Sequence, residues 1–450
     1  MENKPNYIPI ILLLIVSIAA LLLGSGPGQM ITEGLDTGDT AWLLVSAALV
    51  LLMTPGLAYF YGGMVNGKNV ISTMLQSFIA MGVISIIWVV FGFSLAFGDD
   101  IGGFIGNPLT YFMFNGVAEA PLAGTVPFLL FAFFQLKFAV ITPALITGSM
   151  AERVNFRSYV LFIILFCIFI YTPLAHMTWH SDGILFKMGI LDFAGGTVVH
   201  MSAGWAALAG ALFIKSRKQY IGENGLPPAN IPFVLLGTGL LWFGWFGFNA
   251  GSALGAGTLA VSAFGATNTA AAAAGIAWVL ADVARGRKVS ALGFCIGAVV
   301  GLVAITPAAG FVTIPASLFI GVIAAIISNL VAHYRTTKVG VDDTLDVFPC
   351  HGVGGMVGMV ATGVFATSAV NPGVEVQGLF YGETGLFVNH LIALVGCSIF
   401  AFCGSYLLFK ITDMILPLRV SAEDEKIGLD ISQHDEQLLE MTTYPTPTIN

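Results

Sequence analysis

Charge is what this sequence has least of: Lys, Arg, Asp and Glu make up 9% of its 450 residues, against 57% hydrophobic ones. So little polar surface cannot enclose a soluble core, and the composition requires an integral membrane protein. Cysteine is also scarce. Cys167, Cys295, Cys350, Cys397 and Cys403 stand singly, with no CxxC pair, which argues against a disulfide framework and a zinc site. The net charge of −8 comes largely from loops and the tail and implies no nucleic-acid surface. Basic residues are missing from every second loop. One set of loops carries Lys68, Arg153, Arg157, Lys215, Arg217, Lys218, Arg285, Arg287, Lys288, Arg335 and Lys338, while the alternate set carries only Lys187. The positive-inside rule makes the first set cytoplasmic, with the mature amino terminus outside and the tail inside.

Apolar stretches are abundant. Segments long enough to span a bilayer recur at about 41–62, 70–97, 124–150, 158–174, 192–214, 231–251, 259–283, 290–308, 312–333, 346–366 and 385–411. The fold class is therefore an all-α polytopic membrane protein with eleven spans. The 54 glycines and 35 phenylalanines suit close helix packing with aromatic filling. Ahead of the spans, residues 8–24 are a short apolar run followed by GSGPGQ. Residues 1–28 therefore read as a signal peptide or as an extra helix. The membrane domain covers 38–411. Residues 412–450 turn polar and read as a solvated cytoplasmic tail with a mobile, proline-flecked end.

Within the apolar spans, two stretches stand out. DFAGGTVVH places Asp192 eight residues before His200, and DDTLDVFPCH places Asp343 eight residues before His351, with glycines crowding both histidines. On a helix of ~1.5 Å rise, eight steps cover ~12 Å, so the acid can lie near the surface and the imidazole near mid-bilayer. An ionisable group at that depth suggests a pathway or relay. Neutral imidazoles each offer one donor and one acceptor to a dehydrated solute, whereas two separate packing histidines would each bond a carbonyl. No further ligand stands beside either histidine in a metal-binding spacing, so no metal or other cofactor is expected. Asp192, Asp343 and Asp346 open helices, where capping competes with a functional role.

The two histidine stretches are part of a wider repeat. ITPA occurs at 141–144 and 305–308, and YFYGG (59–63) resembles FGFNAG (246–251). Corresponding spans are five apart, an odd number, so the halves cross the membrane oppositely. This 5+5 inverted repeat plus one span puts the working site at mid-membrane between the halves. Phe134, Phe138, Ile141 and Leu145 share a helical face, most simply as core. Trp179 is placed as an interfacial belt residue or as a cation-holding π face. Lys137, inside the third span, must snorkel, pair or lose its proton, and a paired structural role is expected.

At these residues the chain resembles the ammonium transporter (Amt/Mep/Rh) family, on the Amt side. The likeness runs from about 41 to 440 through YFYGG, FQLKFAVITPALITGSMAER, AHMTW, DFAGGTVVH, GWFGFNAGS, DDTLDVFPCHGVGGMVG and GLDISQHDE. It implies an outer ammonium-recruitment site of Phe138, Trp179 and Ser252, with Asp192 as the vestibule acid. Beneath would lie an aromatic gate of Phe138 and Phe248, and the twin pore histidines His200 and His351. Leu57, Tyr61, Leu145, Leu241, Trp245 and Val347 would line or adjoin the pore, and Asp343 and Asp346 would be acids at its inner end. The resemblance also implies a cell-membrane homotrimer with one pore per subunit and a PII-type signalling protein at the cytoplasmic mouth. Two departures stand out: Asp435 follows His434 where the family has glycine, and Lys137 replaces an uncharged residue.

The reading from residues and resemblance together is a non-enzymatic ammonium and methylammonium transporter. It would recruit the cation outside, deprotonate it and conduct ammonia past the histidines. The rival is an ammonium sensor that signals through the tail with little flux.

Overall fold

The computed structural model describes residues 7–24, 28–218 and 227–438. Backbone that meets no water must satisfy its own hydrogen bonds, so the apolar stretches coil. After α1 (Ile8–Leu23) the first half comprises α2 (Thr37–Met64), α3 (Val70–Ile87) with α4 (Phe93–Phe97), α5 (Phe128–Met150), and α6 (Phe156–Phe166) with α7 (Thr172–Trp179). The short α8 (Ile184–Lys187) follows, and then a π-helical turn, Gly196–Met201, that runs into α9 (Ser202–Ile214). The second half comprises α10 (Ile231–Gly251), α11 (Thr258–Ala284), α12 (Ala291–Ile305), α13 (Ile314–Tyr334), and a π-helical turn, Phe348–Val353, that runs into α14 (Gly354–Phe365). The extra span is α15 (Gly385–Ile415), followed by α16 (Ala422–Ile427) and α17 (Leu429–His434). A two-stranded hairpin, β1 (Asp100–Ile101) and β2 (Ile105–Gly106), lies between α4 and α5.

The halves interlock where glycine removes side chains. α2 packs along α10, and a Cβ on Gly237 would come within 2.3 Å of the Phe60 nitrogen. The histidine turns pack reciprocally: α9 against Phe348–Val353, and α14 against Gly196–Met201. A Cβ on Gly204 would lie 2.1 Å from the Gly352 nitrogen, so only glycine permits this crossing.

Four expectations need correction. Among the described residues, ten of the eleven expected spans form helices long and apolar enough to cross a membrane, and the remaining one is shorter. The eighth segment forms α12, whose 15 residues reach only ~22 Å. The chain leaves the helix at Thr306–Pro307 and continues as buried turns to Val312. Irregular backbone at that depth is tolerable only inside protein, and here the Phe193 N–H donates to the Pro307 carbonyl at 3.1 Å.

The fifth span starts at Gly196 rather than Asp192, so the acid and its histidine do not share one continuous helix. Lys137 is half-buried, and no described acid or carbonyl pairs with it. The tail, expected to be solvated, is docked as far as Glu436. Lys68 Nζ donates to the Lys426 carbonyl at 2.7 Å, Asp430 Oδ1 accepts the Ser72 N–H at 2.7 Å, and the His434 ring packs edge-on against Phe156. Asp435 adopts φ 56°, a left-handed conformation that aspartate tolerates better than most residues, so the turn survives without the family glycine. The proline-flecked end from 439 onward lies outside the described residues.

Candidate functional site

The site is a column of rings down the interface of the halves. At one end Trp179, the last residue of α7, faces Phe138 edge-on with centroids 6.2 Å apart. The Trp179 Nε1–H donates to the Asp192 carbonyl at 3.0 Å, which fixes the indole. Below it Phe138 of α5 meets Phe248 of α10 at 4.3 Å, and both rings are buried. Ser252 lies one turn beyond Phe248, and its hydroxyl donates to the Phe248 carbonyl at 2.8 Å. That leaves the oxygen lone pairs free to accept.

His200 lies 5.9 Å from Phe248 and 5.3 Å from Trp245, centroid to centroid. Its Nδ1 is 3.3 Å from Nδ1 of His351. At that separation at least one Nδ1 must lack a proton, so both rings cannot be imidazolium with the contact intact. The shared proton leaves one ring presenting an acceptor Nε2 and the other a donor Nε2–H. His200 Nε2 is buried with no protein partner. Both histidines line a small cavity with Met53, Leu57, Phe60, Ile141, Leu145, Leu241, Trp245, Phe248 and Val299. Its volume for the centre of a water-sized molecule is about 10 Å³, about what a single water needs. Each histidine sits in a π-helical turn, where the wider backbone presents its ring differently from the residues around it.

Tyr61 and Val347 do not line this cavity. They meet one step inward, where a Cβ on Gly148 would touch both, and the Tyr61 hydroxyl donates to the Leu145 carbonyl at 2.9 Å. Asp192 is not open to solute. Its Oδ1 accepts the Gly195 and Gly196 N–H groups at 2.8 and 2.6 Å, and its Oδ2 accepts Thr197 N–H at 2.7 Å and the Thr197 hydroxyl. The carboxylate is consumed as a helix cap, and Asp192 reaches the Trp179 ring only through its backbone carbonyl.

Asp343 caps the other histidine turn, accepting the Val347 and Phe348 N–H groups at 3.1 and 2.8 Å. Burial pushes its carboxyl up to about 6; nearby Asp346 adds to the rise and Arg335 opposes it. Asp346, at φ 55°, pairs with Arg335 at 2.6 Å. Both acids border a cavity of about 440 Å³ for water-sized molecules at the other end of the column, whose wall also holds Arg217, paired with Asp342 and Glu152.

The Ammonium Transporter Family model matches residues 41–438. The chain belongs to the ammonium transporter family. It is 46% identical to a putative ammonium transporter of Methanothermobacter thermautotrophicus over 89% of this chain and 98% of that one. To an ammonium transporter of Bacillus subtilis it is 44% identical over 90% and 98%. Among solved structures, Saccharomyces cerevisiae Mep2 superposes with a TM-score of 0.83 at 34% identity, covering 92% and 94% of the two chains.

Some members of this family member's site escape sequence reasoning. Thr306 accepts the Trp245 Nε1–H at 2.9 Å and so sets that wall of the cavity. His390 binds the Met359 carbonyl through Nδ1 and accepts the Leu191 N–H through Nε2, steadying the loop before Asp192. The second ITPA was visible as a motif, but nothing in its four letters says that it ends a helix. Met53 and Val299 carried no signal beyond being apolar, and Phe60 stood out only as part of YFYGG.

Proposed function

We propose that the protein moves ammonium, and methylammonium as its analogue, across the cell membrane without chemical conversion beyond proton transfer. The ammonium ion is recruited between the faces of Trp179 and Phe138, with Ser252 Oγ accepting one N–H. The stacked Phe138 and Phe248 bar a hydrated ion. A bare cation beyond them would forfeit its hydration for an apolar wall, at a cost of many kcal/mol, whereas neutral ammonia gives up only a few hydrogen bonds. Ammonium therefore returns its proton to the water of the outer vestibule above the stack, and ammonia passes His200 and His351, donating to the acceptor Nε2 and accepting from the donor Nε2–H.

One observation carries this reading: two imidazoles 3.3 Å apart at the dry end of an aromatic stack, in a cavity fit for one small hydride. Asp192 contributes a fixed negative charge and its carbonyl rather than a free base. Asp343 and Asp346 stand where ammonia regains a proton on the cytoplasmic side.

The assembly is a homotrimer on the Amt side of the family, with the amino terminus outside and the tail inside. A PII-type protein at the cytoplasmic cavity regulates it. Residues 1–28, whose helix α1 buries no side chain against the bundle, form a separable leader or extra helix. The membrane domain is 38–411 and the tail 412–450. A second reading, an ammonium sensor signalling through the tail, draws on the docked α16 and α17. It also draws on the likeness to a solved Sensor Amt Protein, at TM-score 0.81 and 29% identity over 88% and 98% of the chains.

Currents on supported membranes after ammonium pulses separate the two readings. Transport predicts sustained charge or pH change in wild type and its loss or altered selectivity in His200→Ala and His351→Ala. Unchanged flux in both variants overturns the pore assignment, and negligible wild-type flux with ligand-dependent tail movement favours the sensor.

A further inference from the structure

His176 is fully buried one helical turn before Trp179, and the transport reading gives it no role. Its ring is held between two acceptors. Nδ1 lies 3.0 Å from the Ala96 carbonyl of α4, and Nε2 lies 2.9 Å from Asp100 Oδ1 on β1. A neutral imidazole has one N–H and can satisfy only one of them. The carbonyl cannot donate, so a proton on each ring nitrogen satisfies both, and the ring is an imidazolium facing a carboxylate. Asp100 Oδ1 also accepts the Gly103 N–H at 2.7 Å, which favours its ionised form. The hydrogen bond to His176 is the largest cause holding the Asp100 carboxyl below its ordinary value.

His180, which stacks on His176 at 4.4 Å, differs. Its Nδ1 accepts the Asp182 N–H, so it stays neutral while that bond holds. Asp99 on the hairpin side is a further acid, and Lys187 of α8 is already paired with Asp182 at 2.9 Å. From the outer end of the site, the buried Asp192 is spent on its cap. α4 and the turn before α7 bring no ionised group to the ring.

We propose that His176 is a positioning residue of the recruitment site, its imidazolium tying α7, and so Trp179, to α4 and the outer hairpin. Trp179 is then fixed twice, by its indole to Asp192 and by its helix to Ala96 and Asp100. Once the imidazolium loses a proton, one ring nitrogen turns a lone pair on an acceptor. The bridge opens and the indole face shifts from Phe138. Affinity for the cation falls while the pore beneath is untouched.

This inference rests on the transport reading, and the test separates the two. Methylammonium, which stays protonated across the range, is applied to the full-length protein in supported membranes between external pH 5 and 8.5. Half-saturation and maximal current are read separately for wild type, D100N and H176Q. Absence of both a wild-type current and an accompanying pH change defeats the transport reading itself, and where only the pH change appears its initial rate is read in place of the current. With current present, the wild-type half-saturation is expected to rise about three- to tenfold towards high pH. In D100N, which removes the opposite charge from the bridge, that rise should begin at lower pH than in wild type. In H176Q the profile should be flat, with maximal current in both variants within about twofold of wild type. Superimposable half-saturation profiles in wild type and D100N overturn the proposal, as does a fall in maximal current with half-saturation unchanged. Asp100 is on a partly exposed hairpin, so D100N remains informative if H176Q fails to fold.

Discussion

The turns that carry His200 and His351 are built alike but secured unequally. Each is a π-helical turn entered through a buried aspartate, and each packs on the helix that follows the other. Asp192, however, satisfies three backbone N–H groups and a hydroxyl, whereas Asp343 satisfies two N–H groups and lies beside Asp346. The His200 turn thus has a rigid, fully consumed carboxylate. The His351 turn has one whose proton affinity is raised and which borders the 440 Å³ cavity. Pseudo-symmetric backbones have been fitted with different electrostatics.

The largest test of that asymmetry removes each cap. Asp192→Ala leaves three N–H groups and a hydroxyl without their acceptor, and stability should fall by about 3–5 kcal/mol, with Asp343→Ala losing roughly half as much. Thermal unfolding in detergent reads this directly, and equal losses would erase the distinction.

The next test is pH. The folded state raises the Asp343 carboxyl to about 6 from its ordinary value of 3.8. Its protonated form is therefore favoured by folding. The contribution is complete below the unfolded value and disappears as pH climbs through the folded one. Over that window the transporter should lose roughly 3 kcal/mol through this residue. Asp343→Asn should flatten the dependence, and Asp192→Asn should leave it in place; denaturant midpoints at stepped pH would show whether they do.

A smaller effect is expected at Thr306, which differs from its α5 counterpart Thr142 in accepting the Trp245 indole N–H. Thr306→Val strands the Trp245 indole N–H and should cost about 1–3 kcal/mol while widening the cavity's selectivity for methylammonium over ammonium. Uptake competition checks it. Smallest is Lys137, whose repeat-related position is Gly301, packed within 2.4 Å of the Ala270 carbonyl for any added Cβ. Lys137→Ala should change stability by no more than about 0.5 kcal/mol, because nothing described is paired with it.

Much of this was readable from the chain. Hydropathy located the spans because lipid demands long uncharged helices, and the eight-residue spacing of Asp and His in both halves pointed to the paired rings. What failed was continuity. A carboxylate that turns back onto the N–H groups of residues three to five ahead needs non-helical backbone, and Gly195 supplies it at φ 114°. Pattern alone could not place that break between Asp192 and Gly196. The two ITPA segments make the same point: Pro143 is carried inside α5, while Pro307 follows the end of α12. Proline removes a donor in both, and only the surrounding packing decides whether the helix resumes. The docked tail was missed because its polar residues read as solvated, although several are bound to the amino end of α3.

The wide turns under His200 and His351 have one more implication. Each spends an extra residue on a single loop of backbone, as the His200 N–H reaching back to the Gly195 carbonyl shows. Deleting one residue there would leave every side chain chemically intact yet wind the following helix by ~100°. The rings would swing off the passage together with the glycines that let the halves cross. The aim of each imidazole is therefore written in the count of residues as much as in their kind.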